Sequence, residues 1–118
     1  MEIKEILHII GKKSKNSQKE LAFASHEIRQ KVLKLCAAKI QSNIEKIITI
    51  NKEDLDNASR SDLKESYIDR LRLDEKRILD IVKSLNEISQ LPDPLQRKLD
   101  EWERPNGLKI SRKPTPLG

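Results

Sequence analysis

Cysteine is almost absent from this 118-residue chain. Cys36 stands alone, so no intrachain disulfide can form and the small disulfide-stapled scaffolds are excluded. A single thiol fits a reducing compartment, and a cytoplasmic location is the expectation. Glycine is nearly as scarce, with Gly11, Gly107 and Gly118 widely separated. Three scattered glycines cannot make a glycine-rich phosphate loop. Trp102, Tyr67 and Phe23 are the only aromatic residues, which removes the large anchors of most cores and predicts a small aliphatic one. No apolar run approaches the roughly 18 residues needed to cross a membrane. Glu2, Lys4, Glu5 and His8 interrupt the amino-terminal stretch where a secretory signal would be continuously apolar.

Charge and aliphatic residues make up the difference. Charged residues are 36% of the chain, and Lys, Glu, Leu and Ile dominate, as helices with solvated outer faces require. The net charge is +5, from 24 basic and 19 acidic residues. The two signs are interleaved, and the nearest basic clusters are Lys12-Lys13-Ser14-Lys15 and Arg112-Lys113. That pattern reads as a solvated surface and argues against a nucleic-acid patch. The length suits one domain with a modest core. It is short for an enzyme with a dinucleotide cofactor, whose fold alone takes several βαβ units of about 30 residues each.

Periodicity predicts a mainly α chain of about five helices with a carboxy-terminal two-stranded β-hairpin. Ile3, Ile6, Leu7, Ile10, Ser14, Ser17 and Leu21 recur at steps of three and four, which predicts a helix over 2–23. Gly11 and the polar residues after it make a local break conceivable there. Ser25 is a suitable N-cap for a second helix over 26–49, whose stripe is Ile28, Val32, Leu35, Cys36, Ile40, Ile44, Ile47 and Ile48. These two long helices are expected to be antiparallel. Asn51 reads as the cap of a short third helix, with Glu53 and Asp54 in its first turn, fading through Asn57–Ser61. Leu63, Tyr67, Ile68 and Leu71 mark a fourth. Asp74 caps a fifth with Ile78, Ile81, Val82, Leu85 and Ile88 on its inner face. Pro92 and Pro94 end the helical region. Residues 99–104 and 108–112 then read as strands around a Pro105-Asn106-Gly107 turn. A lone hairpin is marginal in water and needs something to lean on. The resulting division is a single domain, 1–118, with a helical region 1–91 and a linker and hairpin over 92–118.

Candidate chemistry is sparse. Cys36 falls within an apolar stripe beside Leu35 and Ala37, which reads as an inert packing residue rather than an activated thiolate. His8 and His26 lie on different helices, with no cysteine pair to complete a zinc set. Glu53, Asp54 and Asp56 crowd a polar helix start, where stabilisation by the helix dipole accounts for them. Trp102 has no neighbouring aromatic and reads as a packing anchor, not a base-stacking platform. No residue is assigned a catalytic, cofactor-binding or metal-binding role.

From Asn51 onward, the order of residues carries a resemblance. Asn51-Lys52-Glu53-Asp54-Leu55, then Tyr67-Ile68-Asp69-Arg70-Leu71-Arg72-Leu73-Asp74 with Arg77-Ile78, then Leu91-Pro92-Asp93-Pro94-Leu95, then Arg104-Pro105-Asn106-Gly107-Leu108-Lys109-Ile110 and Pro116-Leu117-Gly118 follow one another at characteristic spacing. In this order they resemble the amino-terminal segment of gamma-glutamyl phosphate reductase, of the aldehyde dehydrogenase superfamily. The resemblance covers nearly all of the chain, more loosely before Asn51.

It implies a partial aldehyde-dehydrogenase-like domain. It also implies an enzyme that reduces L-glutamyl 5-phosphate to glutamate 5-semialdehyde with NADPH, in proline biosynthesis. The family's cysteine nucleophile lies far downstream, and Cys36 matches it neither in position nor in surroundings. Pro114 and Thr115 depart from the basic and apolar residues that usually precede Pro-Leu-Gly. The expectation is a truncated, reductase-like chain without cofactor or activity of its own. Without the cofactor domain, part of its apolar stripe should be exposed, so its expected partner is a second copy or a complementary carboxy-terminal chain. A helical interaction module is the alternative reading, and a small basic nucleic-acid binder the third.

Overall fold

The computed structural model describes residues 2–97 and 99–117. Gly118, which closes the Pro-Leu-Gly sequence, lies outside the described residues. Five helices come first: α1 (Ile3–Leu21), α2 (His26–Gln41), α3 (Ile44–Arg60), α4 (Glu65–Leu71) and α5 (Glu75–Ser89). Two strands follow, β1 (Asp100–Glu103) and β2 (Lys109–Arg112). The chain forms two compact units. One is Arg29–Leu91, and the other joins the residues up to Ile28 with those from Pro92 onward.

The Arg29–Leu91 unit holds the buried core, made of Ala37, Ala58, Ile78 and Val82. Within it α3 packs against α4 and α5. The inner face of α3 is Ile44, Ile47, Ile48, Asn51, Leu55 and Ala58, all buried or half-buried. Those steps of three and four are the periodicity of one helix, so the helix runs straight through Asn51. Asn51 is therefore not the cap of a new helix, as the sequence suggests, but the middle of an existing one.

The expected single helix over 26–49 is instead two. Its break falls at Ser42 and Asn43, because their side chains capture the end of α2. The Ser42 hydroxyl and the Asn43 amide both donate to the Lys39 carbonyl, at 3.0 and 2.8 Å. The Asn43 N–H turns instead to the Ile40 carbonyl, at 3.1 Å, in the tighter geometry of a helix end. The carbonyl of Asn43 then accepts from Ile47 N–H at 2.9 Å and starts α3. The polar stretch Asn57–Arg60, where a helix was expected to fade, stays helical, and the reversal comes at Asp62, in the left-handed region with φ 55°. Aspartate tolerates that region better than most side chains.

Local caps fall where the sequence puts them. The Ser25 hydroxyl accepts from Ile28 N–H at 3.2 Å at the start of α2. Asp74 Oδ1 accepts from Arg77 N–H at 2.8 Å at the start of α5. Asp74→Ala is expected to cost about 1 kcal/mol, read as a lower urea midpoint at unchanged slope. One turn into α5, the Asp80 carboxylate bonds Lys76 at 3.0 Å and holds that ammonium above its ordinary pKa. Both groups are exposed, so the pair adds little to stability.

In the other unit, α1 is unbroken despite Gly11 and the lysines that follow it. Glu2 and Glu5 close a reciprocal capping box at its start. The hairpin is antiparallel, with Asp100 opposite Arg112, Trp102 opposite Ile110 and Glu103 opposite Lys109. Gly107 takes a φ of 83° in the turn, a conformation that any side chain would strain. The turn is closed by Gly107 N–H to Arg104 O and Arg104 N–H to Leu108 O, both 2.8 Å. Strand β2 ends at Arg112, two residues before Pro114, which has no amide hydrogen to donate.

Candidate functional site

Of the residues that carry the resemblance, Asn51, Asp69, Leu71, Leu73, Asp74 and Arg77 meet in one corner of the Arg29–Leu91 unit. Asn51 is 5% exposed and faces the junction between α4 and α5. Its side-chain amide donates to the Leu71 carbonyl at 2.9 Å, and its carbonyl accepts from Leu73 N–H at 2.8 Å. Leu71 is the last residue of α4 and Leu73 lies two residues beyond it, so no further helical turn satisfies either group. One carboxamide supplies both partners across a sequence gap of about twenty residues.

Arg77, in the first turn of α5, grips the same junction from the other side. Its guanidinium donates to the carbonyls of Asp69 and Arg72, the latter at 3.0 Å, and to the Asp69 carboxylate at 2.9 Å. A planar fork of donors suits three acceptors in this arrangement, as an ammonium would not. On the far side of the unit, the Gln30 amide donates to the carbonyl of buried Ser89 at 2.8 Å and ties α2 to the end of α5. The Asn51, Asp69, Asp74 and Arg77 positions are thus architectural. They hold three helices in register.

The residues considered for chemistry are dispersed. His8 lies on α1 and His26 opens α2. Glu53, Asp54 and Asp56 are exposed along α3. Among the described residues no three His, Cys, Asp or Glu side chains gather to hold a metal ion. Trp102 is partly covered by the Arg112 guanidinium, 5.8 Å from the ring centre, and Arg112 also pairs with Asp100 at 3.3 Å. Cys36 is exposed, not buried as its stripe suggests. The reason is that α2 carries two apolar stripes. Leu33, Ala37 and Ile40 turn inward, which leaves Ile28, Val32, Leu35 and Cys36 toward solvent.

Nor do the described residues fit the phosphates of a dinucleotide. Such a site needs a strand, a tight glycine turn and a helix amino terminus aimed at the pyrophosphate. Gly11 is inside α1, and Gly107 joins two antiparallel strands. No helix of the described residues is long and apolar enough to cross a membrane.

What the chain does present is apolar surface. Ile3, Leu7, Ile10 and Leu21 of α1 are exposed, as are Ile81 and Ile88 of α5, which the periodicity places on the inner face. Ile78, Val82 and Leu85 occupy that face, and Ser89 rather than Ile88 completes it.

No protein-family model matches the chain. It is similar to the gamma-glutamyl phosphate reductase of Bartonella henselae, 39% identical over 109 residues, 92% of this chain and 26% of that protein. The enzyme of the same name from Beijerinckia indica is 38% identical over 117 residues, 99% of this chain and 27% of the relative. That of Carboxydothermus hydrogenoformans is 40% identical over 114 residues, with 97% and 27% covered. The crystal structure of gamma-glutamyl phosphate reductase from Thermotoga maritima superposes with a TM-score of 0.75 at 32% identity, over 85% of this chain and 24% of that one. The chain resembles the amino-terminal segment of these proteins and spans about a quarter of their length.

Proposed function

We propose that this chain serves as the amino-terminal helical segment of a gamma-glutamyl phosphate reductase. The observation that carries the reading is the likeness to such enzymes through 92–99% of the chain, matched by the superposition on a solved reductase. The activity that follows is NADPH-dependent reduction of gamma-glutamyl phosphate to the semialdehyde, by an assembly that includes this chain.

In that assembly the segment contributes architecture. The Asn51 and Arg77 bonds fix the α3–α4–α5 corner. The outward stripe of α2 and the flank of α5 give the rest of the enzyme an apolar surface to cover. Hydride transfer and thiol attack both require groups held against substrate. The described residues offer no dinucleotide cradle for the first, and Cys36, the single thiol, stands exposed on α2. We therefore assign no catalytic step to this chain.

A chimera tests the reading. In it, this chain replaces the matched quarter of the Thermotoga reductase. The chimera is expected to oxidise NADPH with gamma-glutamyl phosphate, while the chain alone gives no rate above buffer. A folded chimera without turnover, or turnover by the isolated chain, overturns the reading.

A further inference from the structure

We propose that residues 62–68 form a hinged strap, which lifts from the Arg29–Leu91 unit and closes again while the corner at Asn51 and Arg77 stays shut. The inference concerns this chain itself and does not depend on the reductase reading. Its basis is how differently the two halves of the connection between α3 and α5 are held. The later half is pinned. Asn51 holds the Leu71 carbonyl and the Leu73 N–H, and Arg77 holds Asp69 and the Arg72 carbonyl.

The earlier half lacks such ties. Among the described residues, no side chain from Asp62 to Ile68 takes part in a hydrogen bond or an ion pair. None of these residues is buried either. Ile68 is half-buried, and Leu63 and Tyr67 are 48% and 57% exposed. Lys64 stands at the N-cap of α4 and supplies no side-chain cap. Little buried apolar surface and no side-chain tie are the conditions for opening at a small fraction of the global cost. A helix of seven residues does not persist by itself, so the freed turn melts as it lifts. Both ends of the strap serve as hinges. Asp62, at φ 55°, reverses the chain directly after α3, and a rotation there redirects everything that follows. At the other end the clamped residues 69–73 keep the opening from spreading into α5.

Helix α5 presents the opposite case at the same helical position. Ile68 and Ile78 are each the fourth residue after an N-cap, and each N–H bonds the carbonyl of that cap, at 3.3 and 3.0 Å. Ile78 is 1% exposed, and Asp74 caps its helix. Residue type and place in the helix are matched, so a difference between the two amides reports packing and not ordinary fraying of a helix end. The strap gives the unit one part that changes shape without disturbing the core.

Native-state amide hydrogen exchange of the full chain, read residue by residue by NMR, tests this. The Ile68 N–H is expected to exchange at least about a hundredfold faster than that of Ile78. Its rate should not respond to urea below the unfolding transition, because lifting the strap exposes little surface. The Leu73 N–H, bonded to Asn51, is expected to exchange with the slow amides of α5. Val82→Ala, which truncates the core of α5, should speed exchange at Ile78 about tenfold and leave Ile68 unchanged. Equal rates at Ile68 and Ile78 in the parent chain overturn the proposal, and so does an Ile68 rate that rises with urea as steeply as that of Ile78. A Leu73 N–H that exchanges with Ile68, or a Val82→Ala variant that speeds both isoleucines alike, overturns it as well.

Discussion

Asn51→Leu is expected to lower the unfolding free energy by about 3 kcal/mol, although leucine suits the position by every rule of patterning. The residues around Asn51 on the inner face of α3 are Ile47, Ile48, Leu55 and Ala58. An apolar side chain would extend that stripe without interruption. What it would remove is the pair of hydrogen bonds to Leu71 O and Leu73 N–H. Leaving a buried donor and acceptor unsatisfied costs about 1–3 kcal/mol each, whereas burying extra apolar area returns only part of this. The balance is a loss. Urea unfolding followed by far-UV circular dichroism should show a lower midpoint at the same slope. A variant as stable as the parent would mean that water satisfies the α4–α5 junction and that Asn51 is not its clamp.

Ile78→Ala should be the other severe change, costing about 3–4 kcal/mol against about 0.5 for Ile81→Ala. The two isoleucines lie three residues apart on α5, and both belong to the stripe that periodicity draws. Only Ile78 is fully buried, with 1% exposure, while Ile81 is 43% exposed. Ile78 is the largest apolar side chain among the fully buried residues of this core, whose other buried apolar members are Ala37, Ala58 and Val82. Removing three buried carbons from a fully enclosed position costs both the lost transfer energy and the cavity left behind. For a domain whose total stability is about 5–15 kcal/mol, that is a large fraction. Similar losses for the two variants would show that α5 is rotated relative to the packing described.

Much of the fold is written locally and reads correctly. Asp74 and Ser25 cap the helices they precede, because a short acceptor at that position satisfies an amide three residues on, whatever the rest of the chain does. The hairpin is set by Pro105-Asn106-Gly107 between two alternating segments, since the turn demands a positive φ that Gly107 supplies. The failures have a common cause. Asn51 has the side chain of a helix cap, and nothing within four residues reveals that its partners are at Leu71 and Leu73. Ser42 and Asn43 sit in a run that is apolar enough to look like continuous helix, and their competition for the Lys39 carbonyl is a matter of geometry. Cys36 was misplaced because α2 is apolar on two sides, and periodicity cannot rank two faces of one helix. The signal that locates Asn51 was present all the same, in its place within the three-and-four stepping of Ile44, Ile47, Ile48, Leu55 and Ala58.

By itself, then, the amino-acid sequence determined the helical class, the caps, the hairpin turn and the resemblance to the reductases, because each rests on residues close together in the chain or on their order along it. Only the tertiary structure decided which stripe of α2 turns inward, that Ile78 and not Ile81 fills the core, and that Asn51 ties α3 to the α4–α5 junction. Those outcomes depend on what lies across the gap between helices, where burial and hydrogen bonding are shared by residues twenty or more positions apart.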